Sequence, residues 1–103
     1  GEWQLHLRIP LDLRYFSGHF PSTPVLPGVV QIDWVLHLAP GYLTIPPRFV
    51  GMEVLKFQQL LRPGDLASLT FRFDPARNKL YFSYQIGDSA ASSGRIVLGA
   101  ADA

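Results

Sequence analysis

The stretch that decides how this chain is read runs from Phe16 to Asp33: Phe16-Ser17-Gly18-His19-Phe20-Pro21-Ser22-Thr23-Pro24-Val25-Leu26-Pro27-Gly28-Val29-Val30-Gln31-Ile32-Asp33. A histidine stands at a Gly-His-Phe-Pro turn, three prolines stiffen the chain from Pro21 to Pro27, and Gly28 opens an apolar run holding one carboxylate, Asp33. Pro21 and Pro24 forbid regular helix and push the residues before them toward extended geometry. Proline is tolerated where a helix begins, because the N–H it lacks has no intrahelical partner there. The pattern predicts a loop over 16–26 and a helix from about Pro27 to about Ala39, ended by Pro40-Gly41. Val29, Val30, Ile32, Trp34, Val35, Leu36 and Leu38 leave that helix almost no polar face, so burial on most sides is expected.

On the N-terminal side, Trp3, Leu5, Leu7, Ile9, Leu11, Leu13 and Tyr15 alternate with polar residues or proline, which reads as a half-buried strand. Pro10 cannot donate to a ladder, so the strand is at an edge there, or is bent or split. On the C-terminal side, Ile45-Pro46-Pro47 is a stiff linker and Phe49 to Leu61 reads as a strand. Arg62-Pro63-Gly64-Asp65 places Pro-Gly at the central positions of a type II turn. Leu66–Phe73 and Lys79–Ile86 each put an apolar set on one face: Leu69, Phe71 and Phe73 in the first, Leu80, Phe82, Tyr84 and Ile86 in the second. A last strand is expected over about Ala90 to Ala100, with small residues from Ala90 to Gly94 that leave room for a close approach. Short turns at 74–78 and Gly87-Asp88 make these strands read as an antiparallel meander. The expected class is α+β: an antiparallel sheet wrapped around one central helix. Residues 1–103 form a single domain on this reading, without repeat or boundary. A second copy would close the sides of the helix that one sheet leaves open, giving a dimer.

Composition narrows the function classes. The formal charge of +1 gives no general drive toward nucleic acid or anionic membrane. The absence of cysteine excludes disulfides, thiolate metal sites and a cysteine nucleophile. No apolar run approaches the roughly 20 residues of a membrane span, and no leader is visible; a cytoplasmic location is the expectation. His6, His19 and His37 match no zinc spacing, and neither a Gly-rich phosphate loop nor a serine nucleophile elbow is present.

The candidate chemistry sits around the helix start. A lone loop histidine most often only caps a turn, but Gly18 permits close backbone approach and Phe20-Pro21 stiffens the loop, as a positioned base requires. Asp33 is either a carboxylate on the helix's solvated side or, if that face is covered, a buried acid that holds its proton near neutral pH. Gly28 presents helix-start N–H groups at the positive end of the helix dipole, suited to a carbonyl whose adjacent carbon is losing a proton. A plain Pro-Gly helix start is the simpler alternative. His37 lies four residues after Asp33 and shares its helix face.

The run from Phe16 to Val29 resembles the signature of the hot-dog-fold 3-hydroxyacyl-(acyl carrier protein) dehydratases. Arg62-Pro63-Gly64-Asp65 falls where that family has its Pro-Gly-Asp turn, and the order of strands and helix agrees. Val30-Gln31-Ile32-Asp33-Trp34-Val35 looks most like the small dehydratases of aryl polyene biosynthesis. The resemblance implies a dimeric hot-dog fold and dehydration of a 3-hydroxyacyl thioester to the trans-2-enoyl thioester, in fatty acid or polyene-type biosynthesis. His19 would be the base, Asp33 the acid and the Gly28 N–H the carbonyl donor, with Phe20, Pro27, Val29 and His37 as substrate neighbours. It implies no metal or organic cofactor, because the thioester itself acidifies the α position. It also implies an acidic acyl carrier protein as partner, met by some of Arg8, Arg14, Arg48 and Arg62, and a homodimer or a heterodimer with a related subunit. The family often has Gln where this chain has His37, which bears on the polar network beside the acid. A hot-dog acyl thioesterase and a non-catalytic carrier-binding subunit of a heterodimeric dehydratase remain the alternatives; the first generally lacks the Gly-His-Phe-Pro turn.

Overall fold

The structure, a computed structural model, describes residues 1–11 and 25–100. Among these residues, five strands and one α-helix run in the order β1 (Glu2–Arg8), α1 (Gly28–Leu38), β2 (Arg48–Phe57), β3 (Leu66–Asp74), β4 (Lys79–Ile86) and β5 (Ser89–Gly99). A 3₁₀ turn, Ala39–Gly41, finishes the helix at the expected Pro40-Gly41. Pro27 stands one position earlier than a first helical residue: it is the N-cap, and its carbonyl accepts from Val30 N–H at 3.0 Å and Gln31 N–H at 3.1 Å.

All pairings are antiparallel, in the spatial order β1-β3-β4-β5-β2. The meander holds for β3, β4 and β5 only. β2 does not pair with β3, the next strand in sequence, but with β5 at the far edge. α1 joins one sheet edge to the other, between β1 and β2.

The turns behave as their residues dictate. Asp65 N–H donates to the Arg62 carbonyl at 3.1 Å and Gly64 sits at φ +85°, the left-handed value that the third position of a type II turn needs. This turn also terminates β1. Ile9 N–H donates to the Asp65 carbonyl and the Ile9 carbonyl accepts Gly64 N–H, both at 2.8 Å. Pro10 has no donor with which to continue. The predicted strand through Tyr15 therefore stops at Arg8, on an edge; its residues beyond Leu11 lie outside the described ones.

The apolar sets of β3 and β4 face the helix, and Leu69, Phe71, Leu80, Phe82 and Tyr84 are buried with Ile96 and Leu98 of β5. Cross-strand register aligns Leu69, Tyr84 and Ser92 in one row and Phe71, Phe82 and Gly94 in the next. The small residues of β5 serve this packing: a Cβ at Gly94 would lie 3.0 Å from the Phe82 ring and 3.2 Å from Leu55.

β2 differs from the others. Its ladder with β5 is irregular between Phe49 and Gly51 and again between Glu53 and Lys56, and Val54 adopts φ +50°. A β-branched residue there is strained, and bulges of this kind bend an edge strand. Phe49, Val50, Val54, Leu55 and Phe57 are all exposed.

Candidate active site

Three polar side chains interrupt the apolar sequence of α1, and they divide between two faces. Gln31 and Val35 are buried against the sheet, whereas Val29, Asp33 and His37, spaced four apart, form an exposed stripe on the other side. Among the described residues the sheet covers one face of the helix, and the exposed face is the side expected to need a second copy to close it.

The inward face is held by hydrogen bonds. Gln31 donates through Nε2 to the Leu26 carbonyl at 3.1 Å and accepts the Ser92 hydroxyl at Oε1 at 2.7 Å. The Tyr84 hydroxyl donates to the Gln31 carbonyl at 2.7 Å. Burial pushes the Tyr84 phenol well above its usual range. These contacts fix how far α1 is rotated over the sheet, and thus which residues its outer stripe shows. Reasoning from sequence missed Gln31. Its signal was a polar residue on the opposite side of an apolar helix from the acid, matched by the small residues at 90–94.

On the outer face, Asp33 is 61% exposed and His37 74% exposed. Asp33 is thus not a buried acid within its own chain. The His37 ring lies against it, with Nδ1 2.9 Å from the Asp33 carbonyl oxygen and 3.4 Å from Oδ1. Gly28 is the first residue of α1, so its N–H is among the donors that the helix leaves without an acceptor. Asp33 comes five residues later, about 7.5 Å along the axis at 1.5 Å per residue.

Glycine at position 28 has a steric reason. A Cβ there would lie 2.5 Å from the tip of the Phe57 ring. The ring and the helix start together wall a cleft of about 290 Å³, lined also by Val25, Leu26, Pro27 and Gln59. Phe57 was not singled out by the sequence, and nothing in its local pattern marked it.

Of the residues expected at the site, Val29, Asp33 and His37 share the outer stripe of α1, Pro27 is its cap, and Gly28 faces the cleft beside Gln31 and Phe57 rather than Asp33. His19 and Phe20 lie outside the described residues. Among the arginines expected to meet a carrier, Arg8 donates to the Gly64 carbonyl at 3.2 Å and Arg48 to the Ala100 carbonyl at 3.3 Å; Arg62 is exposed and Arg14 lies outside the described residues. Among the described residues, no three His, Asp or Glu side chains are grouped to hold a metal ion, and no helix is long and apolar enough to cross a membrane.

Among the described residues, one helix packed on a five-stranded antiparallel sheet, with an acid on its outer side, defines a hot-dog protein. Residues 1–95 match the model of the ApeI-like family, described as ApeI dehydratase, and the chain belongs to that family. It is similar to the solved dehydratase heterocomplex ApeI:P from Xenorhabdus doucetiae, with a TM-score of 0.83 and 39% identity over 93% of this chain and 85% of that one. It is also similar to 3-hydroxyacyl-(acyl-carrier-protein) dehydratases FabZ. That of Oenococcus oeni is 26% identical over 87% of this chain and 73% of its own length. That of Erythrobacter litoralis is 30% identical over 71% of this chain and 54% of its own length. The chain thus spans between about half and three quarters of these curated relatives.

Proposed function

We propose that this chain takes part in dehydrating a 3-hydroxyacyl thioester, carried on an acyl carrier protein, to the trans-2-enoyl thioester and water. The observation that supports it most is Asp33 on the open face of a helix that begins at Gly28, in a chain of a dehydratase family. His19 takes a proton from the carbon next to the thioester carbonyl. The electron pair released forms the new double bond as the C3–oxygen bond breaks, and Asp33 gives its proton to the departing hydroxyl. The Gly28 N–H receives the carbonyl oxygen, where negative charge develops. Proton exchange with solvent returns His19 and Asp33 to their starting states. The thioester supplies the acidity of the α position, so the reaction draws on no metal or organic cofactor.

A second hot-dog subunit completes this reading. The exposed apolar residues of β2 and Val29 on α1 are apolar surface that a covering subunit would bury. Such a cover would exclude water from Asp33, which helps a carboxyl keep its proton. The likeness to a heterocomplex favours a related hot-dog chain as that partner. In the shared-site arrangement, the histidine comes from one subunit and the acid from the other.

Complementation tests this. His19→Ala and Asp33→Asn, each inactive alone, are denatured and refolded together. In a homodimer with shared sites, about half the dimers are mixed and each holds one intact site, so roughly a quarter of wild-type activity returns. If native mass spectrometry shows mixed dimers and the mixture stays inactive, each site lies within one subunit or the working partner is a different protein. Release of free thiol instead of enoyl product would mean thioester hydrolysis and end the dehydratase reading.

A further inference from the structure

We propose that the outer edge of β1 is a surface for a second copy of this chain: two β1 strands pair antiparallel, Leu5 opposite Leu5, and join two sheets edge to edge. Among the described residues, β1 pairs with β3 alone and ends the strand order. The opposite end of the sheet is β2, so this contact is separate from the cover over α1 and β2 and stands whether or not the chain is a dehydratase.

In an antiparallel ladder the N–H and carbonyl of one residue point to the same side, and the side alternates along the strand. Ile9 turns both groups toward the 64–65 turn that leads into β3. Trp3, Leu5 and Leu7 share its parity and face β3, which leaves the backbone groups of Glu2, Gln4, His6 and Arg8 on the outer edge. Two such edges bond only where these even-numbered residues oppose one another. The register that uses the whole strand meets that condition: Glu2 faces Arg8 of the second copy, Gln4 faces His6, and the two-fold axis passes between the Leu5 residues. About eight new backbone hydrogen bonds result. Other registers of the same parity leave residues out at both ends and separate the charges.

The side chains fit the same register. On the face away from the helix, the opposite charges at the ends of the strand meet in two Glu2–Arg8 pairs. Arg8 uses one N–H on the Gly64 carbonyl, and its guanidinium has further donors for a carboxylate. On the helix face, Leu5 meets Leu5 and Trp3 meets Leu7. Trp3 is 43% exposed. A cleft of about 390 Å³ between β1 and α1, with Leu7, Trp34 and Leu38 in its walls, lies where the indole of the second copy arrives. Edge strands that avoid pairing commonly carry a charge or a proline on the edge. Here no Lys, Arg, Asp or Glu stands between Glu2 and Arg8, and Pro10 lies beyond the paired stretch. With a different subunit on β2, the assembly closes at two copies of each chain; with an identical one it extends, because each dimer then has a β1 edge at both ends.

Sedimentation velocity of the purified chain over a concentration series tests the pairing. Arg8→Glu sets like charges opposite one another, and the wild type should show about twice its average mass or more at the same concentration. Glu2→Arg should behave as Arg8→Glu does, and the double swap, which recreates opposite pairs, should return to the wild-type mass. Gln4→Pro removes an outward N–H without removing a donor to β3 and should stay at the lower mass, with a circular dichroism melt showing that it is folded. Amide exchange needs no variant: in the associated wild type, the N–H groups of Gln4 and His6 should be protected as that of Leu5 is. Equal masses for wild type and Arg8→Glu, no return in the double swap, a wild-type mass in folded Gln4→Pro, or rapid exchange at Gln4 and His6 would each overturn the proposal.

Discussion

Gln31 and Asp33 are two residues apart on α1 and about 200° apart around it, and they meet opposite surroundings. Gln31 is 4% exposed and every polar atom of its side chain has a partner, whereas Asp33 stands open with one imidazole beside it. The sequence makes both faces of the helix apolar apart from these residues and His37. The difference comes from what lies opposite: a sheet with small residues and a tyrosine hydroxyl on one side and, among the described residues, an exposed surface on the other. The buried face fixes the position of the helix, and the exposed face carries Asp33 and His37. Changes on the two faces should therefore separate, activity on one and stability on the other.

The largest effect is expected at the open face. Asp33→Asn should lower turnover by about 10²–10⁴, the usual contribution of a general acid. Because the side chain is exposed, its thermal midpoint should stay near that of the wild type; a large drop would mean that Asp33 supports the fold. On the buried face, Gln31→Ala removes the partner of the Ser92 hydroxyl and of the Leu26 carbonyl and leaves a void. A loss of about 2–4 kcal/mol is expected, measured as a shift in urea midpoint without a change in slope. Activity should fall only as far as the folded fraction does.

Gly28 lies on the sheet side of α1 against Phe57 and should show coupling to it. Gly28→Ala drives a Cβ into the exposed tip of the Phe57 ring, which can swing aside, so a cost of about 1 kcal/mol is expected. In the double variant with Phe57→Leu the two changes should be less than additive, by about 0.5–1 kcal/mol in a mutant cycle. Additivity would show that the ring does not press on the helix start.

The smallest effect tests the inner network by pH. Burial raises the Tyr84 phenol above its usual value, so the folded state holds that proton more tightly than the unfolded chain does. Its contribution is fully present below about pH 10, where a free phenol titrates, and is lost as the pH rises further. Tyr84→Phe should cost about 1 kcal/mol at neutral pH through the lost hydrogen bond to the Gln31 carbonyl. Its stability should then decline less steeply than that of the wild type between about pH 9 and 11. Parallel declines would show that Tyr84 is not the group responsible.

Much of the fold was legible in local chemistry. Pro27-Gly28 and Pro40-Gly41 bound the helix to within a residue, Pro63-Gly64 makes the turn it should, and the period-two sets of β3 and β4 lie on the side assigned to them. The fate of β2 was not legible. Its alternation is weak because two irregularities, one with Val54 at φ +50°, break the period, and no local signal says that it crosses to pair with β5. At the site, Asp33 and Gly28 were legible because an isolated acid and a Pro-Gly helix start stand out in an apolar run. Gln31 and Phe57 were not, because their roles depend on partners 61 and 29 positions away.

By itself, then, the sequence determined where the chain turns, where its helix starts and stops, and which residues on β3 and β4 share a side. Proline, glycine and side-chain periodicity act within a few residues, so those features need no knowledge of the rest of the chain. Only the tertiary structure decided the strand order and which face of an almost wholly apolar helix is covered. Burial is settled by what packs opposite a residue, and for α1 that is the Gln31–Ser92–Tyr84 contact on one side, while among the described residues the other side stays exposed.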